Sequence, residues 1–498
     1  MHILPLFPAL GLGGAFLVSL LGRRSKKFCD IFTNVITCAL FGLSLYSLCI
    51  LKSQTSPLVY KVGGWIPPIG ISLVLDGLSS FMLIIVNFVA FMITLYSVNY
   101  MEKFTAKFKF YTLFLLMLAG MNGVIVTGDI FNLFVFLEIA SVASYALVAY
   151  GVEAEELEAS FKYLIMSSVA SLFILLGIAF LYSYASTLNM ADIAVVLSEK
   201  GLNNAMLFAS ILFIVGFSLK AAIVPFHAWL PDAHPSAPAP ISACLSGIFI
   251  KALGVYTLCR LFYNVFGANP ALLNLFMGLG AVSIVVGALL ALGQVDFKRL
   301  LAYSSINQIG YIILGLGLGT PLGILGALFH LFNHSVFKSL LFLNSGAVEY
   351  TVGTRNIRDM GGLREKMPVT SSTSLIASMS ISGIPPFNGF FSKLIIILAC
   401  IHAGHVVYSF WAILGSILTL AYFMKLQKNV FFGNLPERYN NVREVPFFMK
   451  TAMVMLAIAC IVGGFMVLPK VKKYILSPAQ NVLTHGLDYK NINEIGVK

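Results

Sequence analysis

Runs of about 20 apolar residues follow one another from end to end of this chain, each long enough to cross roughly 30 Å of hydrocarbon. Inside a bilayer every backbone N–H and C=O needs a partner within the protein, so only helices or closed barrels can span it. Long stretches of β-type alternation are missing, which leaves a helical bundle. Charged residues make up only 10% of the 498 positions, against about 25% in soluble domains. Reading apolar runs against charged and Pro/Gly breaks gives about fourteen spans. They centre near residues 12, 40, 85, 118, 140, 172, 215, 250, 282, 309, 335, 385, 420 and 460. The first run, 3–21, has no basic segment ahead of it and no small-residue cleavage site behind it. It reads as a retained helix, not a signal peptide.

The net charge of +12 sits in short loops, which suits membrane orientation and anionic lipid better than nucleic acid. Basic clusters follow spans one (Arg23, Arg24, Lys26, Lys27), three (Lys103, Lys107, Lys109), nine (Lys298, Arg299), eleven (Arg355, Arg358, Arg364, Lys366) and thirteen (Lys425, Lys428). All are odd-numbered, so they share one face, and the positive-inside rule then places both termini outside the cytoplasm. Lys470, Lys472 and Lys473 in the tail run against this locally. The 7 cysteines form no CxxC pair and mostly lie within apolar runs, so disulfide, zinc and iron–sulfur chemistry find no support. The glycine runs 11–14 and 315–319 follow no strand and match no nucleotide fingerprint. No cofactor, metal, redox or hydrolytic site of the chain's own is expected.

Two spans are interrupted by proline. Span seven contains Lys220, then Val224-Pro225-Phe226-His227, and span twelve contains Gly383-Ile384-Pro385-Pro386-Phe387-Asn388, then Lys393. Proline lacks the donor and clashes with the preceding turn, so each helix should break there. Broken helices in matching positions point to an inverted repeat with a pathway at its interface; two ordinary proline kinks are the plainer alternative.

Charges within the spans carry most of the functional information. Glu138 lies about 14 Å into span five at about 1.5 Å per residue. Lys220 precedes the first break, Lys251 is central in span eight, and Lys393 follows the second break. His330, His334 and Lys338 recur every four residues in span eleven and so share a face. Each such group costs roughly 2.5–3.5 kcal/mol at a helix centre, so the set should face the bundle interior, pair and meet water. A Glu138–Lys220 pair could switch the lysine between charged and neutral as the two separate or approach. Carbonyls freed at the Pro225 break could solvate that ammonium. Lys251, His330, His334 and Lys338 offer relay sites, and Lys393 an outlet. His330 and His334 have metal-ligand spacing but no third ligand on that face. His227, Asp232 and His234 flank the proline-rich turn 231–240 and read as lining its water-facing mouth. Asp129 reads as a helix N-cap, and the acidic run 153–158 as a solvated face or a contact for a partner subunit.

The stretch 128–138, Gly-Asp-Ile-Phe-Asn-Leu-Phe-Val-Phe-Leu-Glu, resembles the fifth helix of the antiporter-like subunits shared by Mrp cation/proton antiporters, membrane-bound hydrogenases and respiratory complex I. Residues 220–240 continuing to Lys251, the His330–Leu–Phe–Asn–His334–Ser–Val–Phe–Lys338 run and 383–393 resemble its seventh, eighth, eleventh and twelfth helices. The resemblance covers nearly the whole chain. It implies fourteen helices with two inverted five-helix repeats and broken helices 7 and 12. It also implies a three-helix segment over 1–108, a proton-translocating core over 109–431 and a C-terminal helix and tail over 432–498. The implied roles are a modulating pair (Glu138, Lys220), a central relay (Lys251), a connection (His330, His334, Lys338) and an outlet (Lys393). Lysine at 393, where some complex I members carry glutamate, and the wording before Glu138 are closer to Mrp D-type and hydrogenase subunits. The chain also ends soon after span fourteen, without the long lateral helix of the largest members. The expected protein is thus a multi-pass subunit of a cell-membrane complex, moving protons or exchanging them for Na+, with lipid and other membrane subunits as partners. A subunit contributing to a quinone site is the alternative.

Overall fold

The computed structural model describes residues 3–53 and 56–496. Helices dominate, as the missing alternation requires. In chain order they are α1 (Leu6–Leu21), α2 (Lys26–Ser53), α3 (Gly77–Tyr100), α4 (Lys107–Val126), α5 (Ile130–Val148) and α6 (Ala154–Ala185). Next come the short α7 (Met190–Lys200), α8 (Asn204–Ala221), α9 (Leu230–Ser236), α10 (Ala239–Val265), α11 (Pro270–Gly293), α12 (Phe297–Gly317) and α13 (Pro321–Val352). The chain closes with α14 (Pro368–Ser382), α15 (Asn388–His402), α16 (Val406–Val430), α17 (Phe447–Val462) and α18 (Pro469–Thr484). Twelve helices among the described residues are long and apolar enough to cross a membrane. The other two expected centres fall on the shorter α1 and on the broken pair α14–α15.

Burial sorts these helices into an inner and an outer set. α10 is buried along its whole length, and α12 and α13 almost so, whereas α2, α6 and α16 turn most of their surface outward. That outward surface is apolar, with Phe161, Leu172, Val407 and Ile417 exposed, as expected where lipid is the solvent. The inner helices approach closely through glycine. A Cβ on Gly310 of α12 would stand 2.6 Å from the Gly280 carbonyl of α11, so only small residues fit that crossing.

The basic clusters do share a face. Tyr150 donates to the Ala106 carbonyl, Arg355 pairs with Asp296 at 3.2 Å, Lys425 donates to the Gln294 carbonyl and Arg438 to that of Asp359. The other face joins Gly128 to Ser72, Ile130 to Leu188, Asn264 to Val482 and Gln480 to Pro321. On it lies a feature that the apolar pattern did not announce. A two-stranded antiparallel hairpin, β1 (Leu58–Lys61) with β2 (Ser72–Leu75), pairs Leu58 with Leu75. At its foot Asp76 caps α3 and accepts two hydrogen bonds, of 2.6 and 3.0 Å, from Arg260 of α10.

Both proline breaks form, and they match in detail. α8 stops at Ala221 with Ala222 at φ 55°, and α14 stops at Ser382 with Gly383 at φ 79°. In each, the next residue reaches back over the helix end, Ile223 to the Ser218 carbonyl and Ile384 to that of Met379. This is the bonding of a left-handed C-cap, and each segment continues with a cis peptide bond before Pro225 or Pro386. A second match joins opposite faces. Asp129 bridges to Asn189 on one face and Asp296 to Asn356 on the other, with each aspartate capping its helix, α5 or α12. An inverted pair of repeats would place such features in this way.

Candidate functional site

Glu138, Lys220, Lys251, His330, His334, Lys338 and Lys393 all sit within helices, and all but Glu138 are buried. Lys220, near the end of α8, is 2% exposed. Its Nζ lies 3.9 Å from Glu138 Oε1 of α5 and donates to Ser141 Oγ at 3.1 Å and Ser167 Oγ at 2.5 Å. Ser171 of α6 donates to the Glu138 carboxylate. The expected pair therefore exists, with its ammonium solvated by hydroxyls of α5 and α6. The carbonyls at the Pro225 break take no part, since α8 ends before Pro225 and Trp229 Nε1 caps the Leu219 carbonyl at 2.9 Å. Interior placement also needs correction for one member. The Glu138 side chain is 34% exposed on the flank of the chain, because it shares the outward face of α5 with Val135 and Val142.

Lys251 is completely buried in α10, where its Nζ reaches back to the Ser246 carbonyl. Here α10 adopts wider π turns over Leu245–Phe249, Lys251–Val255 and Arg260–Val265. Such turns are rare and concentrate at functional positions; nothing in the residue pattern announced them. On α13 the rings of His330 and His334 lie 6.2 Å apart and nearly parallel. His330 Nδ1 shares a 3.0 Å hydrogen bond with Ser392 of α15. Lys338, four residues on from His334, donates to the Leu301 carbonyl of α12 at 2.7 Å. Lys393 of α15 sits 4.8 Å over the Tyr311 ring and 3.5 Å from Ser416 Oγ. Beside it a cavity of about 270 Å³, lined by Gly383, Phe390, Ile413 and Ser416, opens toward the flank. Lys251, Lys338 and Lys393 have no carboxylate partner among the described residues.

The proline-rich turn differs from the expected mouth. His234 is fully buried against Trp229 and Phe342, and neither of its ring nitrogens meets a protein partner. Asp232 does face water, 3.4 Å from Lys162 and 3.5 Å from Arg299, and His227 is partly exposed. In the acidic run, Glu158 pairs with Lys162 at 2.8 Å and Glu155 with Arg355 at 3.5 Å. Asp129 caps α5, accepting from Asn132 N at 2.7 Å. Burial pushes its carboxyl above the usual aspartate range, against the pull of the Asn132 and Phe131 N–H groups. Burial opposes the charge of Arg355, yet Asp296, Glu349 and Glu155 together hold it above the usual arginine range.

Ser141, Ser167 and Ser171 carry no signal in a single sequence, since serine is common between membrane helices. The position of Ser141 and Ser167 against Lys220, and of Ser171 against Glu138, emerges only from packing.

The fold and this buried series define a polytopic, antiporter-like membrane subunit. Residues 127–419 match the family described as NADH:quinone oxidoreductase/Mrp antiporter, TM, and residues 65–111 match NADH-Ubiquinone oxidoreductase (complex I), chain 5 N-terminus. The chain belongs to the NADH:quinone oxidoreductase/Mrp antiporter family. It is 36% identical over 98% of both chains to the N-type subunit of the NADH-quinone oxidoreductase of Desulforudis audaxviator. It is 33% identical over 94% of both to the D-type subunit of the Na(+)/H(+) antiporter of Alkalihalophilus pseudofirmus. Among solved structures, a chain of the Mrp complex from Dietzia sp. superposes with a TM-score of 0.91 at 26% identity, over 99% of this chain and 100% of that one. A chain of the membrane-bound sulfane sulfur reductase, an archaeal respiratory membrane complex, gives 0.90 at 32% identity over the same shares.

Proposed function

We propose that this chain is the proton-translocating subunit of a hetero-oligomeric membrane complex. Its pathway comprises Glu138 and Lys220, then Lys251, then Lys338, His334 and His330, then Lys393. The observation that carries this reading is the set of three buried lysines with no carboxylate partner among the described residues. Ionisable groups are costly in a membrane and mark ion pathways when they persist, and among the described residues these meet carbonyls, a hydroxyl and aromatic rings. Amines and imidazoles suit protons, whereas hard metal cations ask for oxygen ligands. Moving charge through the row takes work, and in this reading the driving reaction or gradient belongs to its partners. The exposed flank carboxylate of Glu138 supports a neighbouring membrane subunit against α5. The repeat boundaries at 109 and 431 and the crossing of the membrane by α1 and by α14–α15 belong to the same proposal.

Lys251→Ala and Lys338→Ala test it in the assembled complex. Proton transport measured in sealed vesicles should fall by at least about tenfold, the scale of losing one proton-transfer group, with subunit content unchanged. Native transport in both variants would overturn the assignment.

A further inference from the structure

The row on α13 does not stop at Lys338. Glu349 lies eleven residues further along the same helix, which is three turns and about 20° of rotation, so it shares the face of Lys338 about 16 Å nearer the basic loops. Its carboxylate is held 2.8 Å from Lys298 of α12 and 4.0 Å from Arg355 of the following loop. Both cations also grip the C-terminal end of α9. Arg355 donates to the Pro235 carbonyl at 2.5 Å and Lys298 to that of Ala237 at 3.1 Å. The Glu349 side chain keeps 24% exposure, so it meets the basic face while its helix runs inward. Between it and Lys338 stands His234, whose ring centroid is 5.6 Å from that of Phe342. Phe342 lies one turn, about 6 Å, from Lys338 and about 10 Å from Glu349 along the axis. His234 has both ring nitrogens unpartnered and no exposure. A buried imidazole left with free nitrogens at this level needs a reason.

We propose that Glu349 is the proton-intake carboxylate of this pathway, loaded from the basic-loop face and delivering through His234 toward Lys338. The inference rests on the proton-translocation reading. In the resting arrangement the carboxylate is ionised and holds Lys298 and Arg355. Taking a proton from water at the basic face makes it neutral and loosens both cations, and with them the end of α9, which carries His234. Passing the proton to an imidazole nitrogen of His234 restores the carboxylate and closes the cluster. The groups that face Glu349 fit this cycle. Lys298 and Arg355 oppose its charge directly, Asp296 and Glu155 hold Arg355 outward, and Lys103 lies over the Tyr100 and Tyr350 rings on the same end. Beyond the turn, a cavity of about 380 Å³ between Glu155, Lys162, Asp232 and Arg299 opens on the same face.

The test uses the whole complex in proteoliposomes, with the pH of each face set separately and subunit content measured. Glu349→Gln keeps the shape and an acceptor for Lys298 but cannot cycle a proton as a carboxylate does. Transport should fall at least about tenfold, and its dependence on basic-face pH should flatten while dependence on the opposite face persists. Glu349→Asp should recover much of the rate. Native rate and native pH response in Glu349→Gln would overturn the proposal. So would an equal loss at every pH without rescue by aspartate, which is the mark of a purely structural latch. Lys338→Ala run in parallel separates the two readings. If it abolishes transport while Glu349→Gln does not, the intake assignment alone fails; if neither matters, the pathway itself fails.

Discussion

Glu138→Gln removes one charge from the Lys220 site and almost no volume. The two charges lie 3.9 Å apart. At that separation the attraction is about 1 kcal/mol in bulk water and about 4 kcal/mol at an effective dielectric constant near 20. Glu138 is one-third exposed on the flank, so the lower part of this range applies to the chain alone and the upper part once a neighbour covers it. The ammonium of Lys220 keeps its hydroxyl partners Ser141 and Ser167, which are neutral and cannot replace the charge. Its charged form should therefore lose a factor of about 5 to about 1000 relative to the amine, taking about 1.4 kcal/mol per tenfold. If separation and approach of this pair drive the switch, proton transport in sealed vesicles falls by at least about fivefold. Glu138→Asp, whose shorter side chain widens the gap, should fall between. The readout is quenching of a pH-sensitive dye, normalised to assembled complex on a native gel. Full transport by Glu138→Gln at native complex levels would refute the reasoning, because it would show that the carboxylate's charge does nothing for Lys220.

Two further predictions concern the scaffold. Arg260→Met leaves Asp76 buried without its bidentate partner, which should cost about 3–5 kcal/mol and lower the thermal midpoint of the purified complex; an unchanged midpoint would discount the pair. Asp129→Ala should cost about 1 kcal/mol through the lost cap of α5, whereas Asp129→Asn keeps the acceptor. Because burial raises the Asp129 pKa, the folded chain binds that proton more tightly than the unfolded one. Its contribution is then greatest below the unfolded aspartate value and is lost as pH rises through the folded one. Asp129→Asn should remove that slope from a pH series of thermal midpoints, and a persisting slope would assign it elsewhere.

Much of this architecture was legible in the sequence because the bilayer enforces it. Spans must be long and apolar, proline must break a helix, and charges at helix centres must have a use. Thus the breaks beside Lys220 and Lys393 and the face of His330, His334 and Lys338 could be read directly. What escaped depends on which helices meet. The hydroxyls around Lys220 come from α5 and α6, many residues away in the chain. Glu349 carries no distinguishing signal in the sequence; only packing sets Lys298 and Arg355 against it. His234 was misplaced because a histidine in a proline-rich turn resembles a surface residue, while here the turn folds inward over Phe342. The β1–β2 hairpin is short, and its Leu-Val-Tyr-Lys and Ser-Leu-Val-Leu strands are too brief to stand out between long apolar runs.

The length and direction of α13 have an electrical consequence. Its row of sites runs along a helix that crosses the membrane, so each site stands at a different depth in the transmembrane field. One turn is 5.4 Å, about a sixth of the hydrocarbon thickness. With about 2.3 kcal/mol per charge per 100 mV for the full crossing, neighbouring sites on this row differ by about 0.4 kcal/mol per turn along the normal. Proton occupancy of Lys338, His334 and His330 would thus tilt with voltage even when the pH on the two faces is equal. In the assembled complex, this helix would read the membrane potential through the same groups to which the proposed pathway assigns the proton.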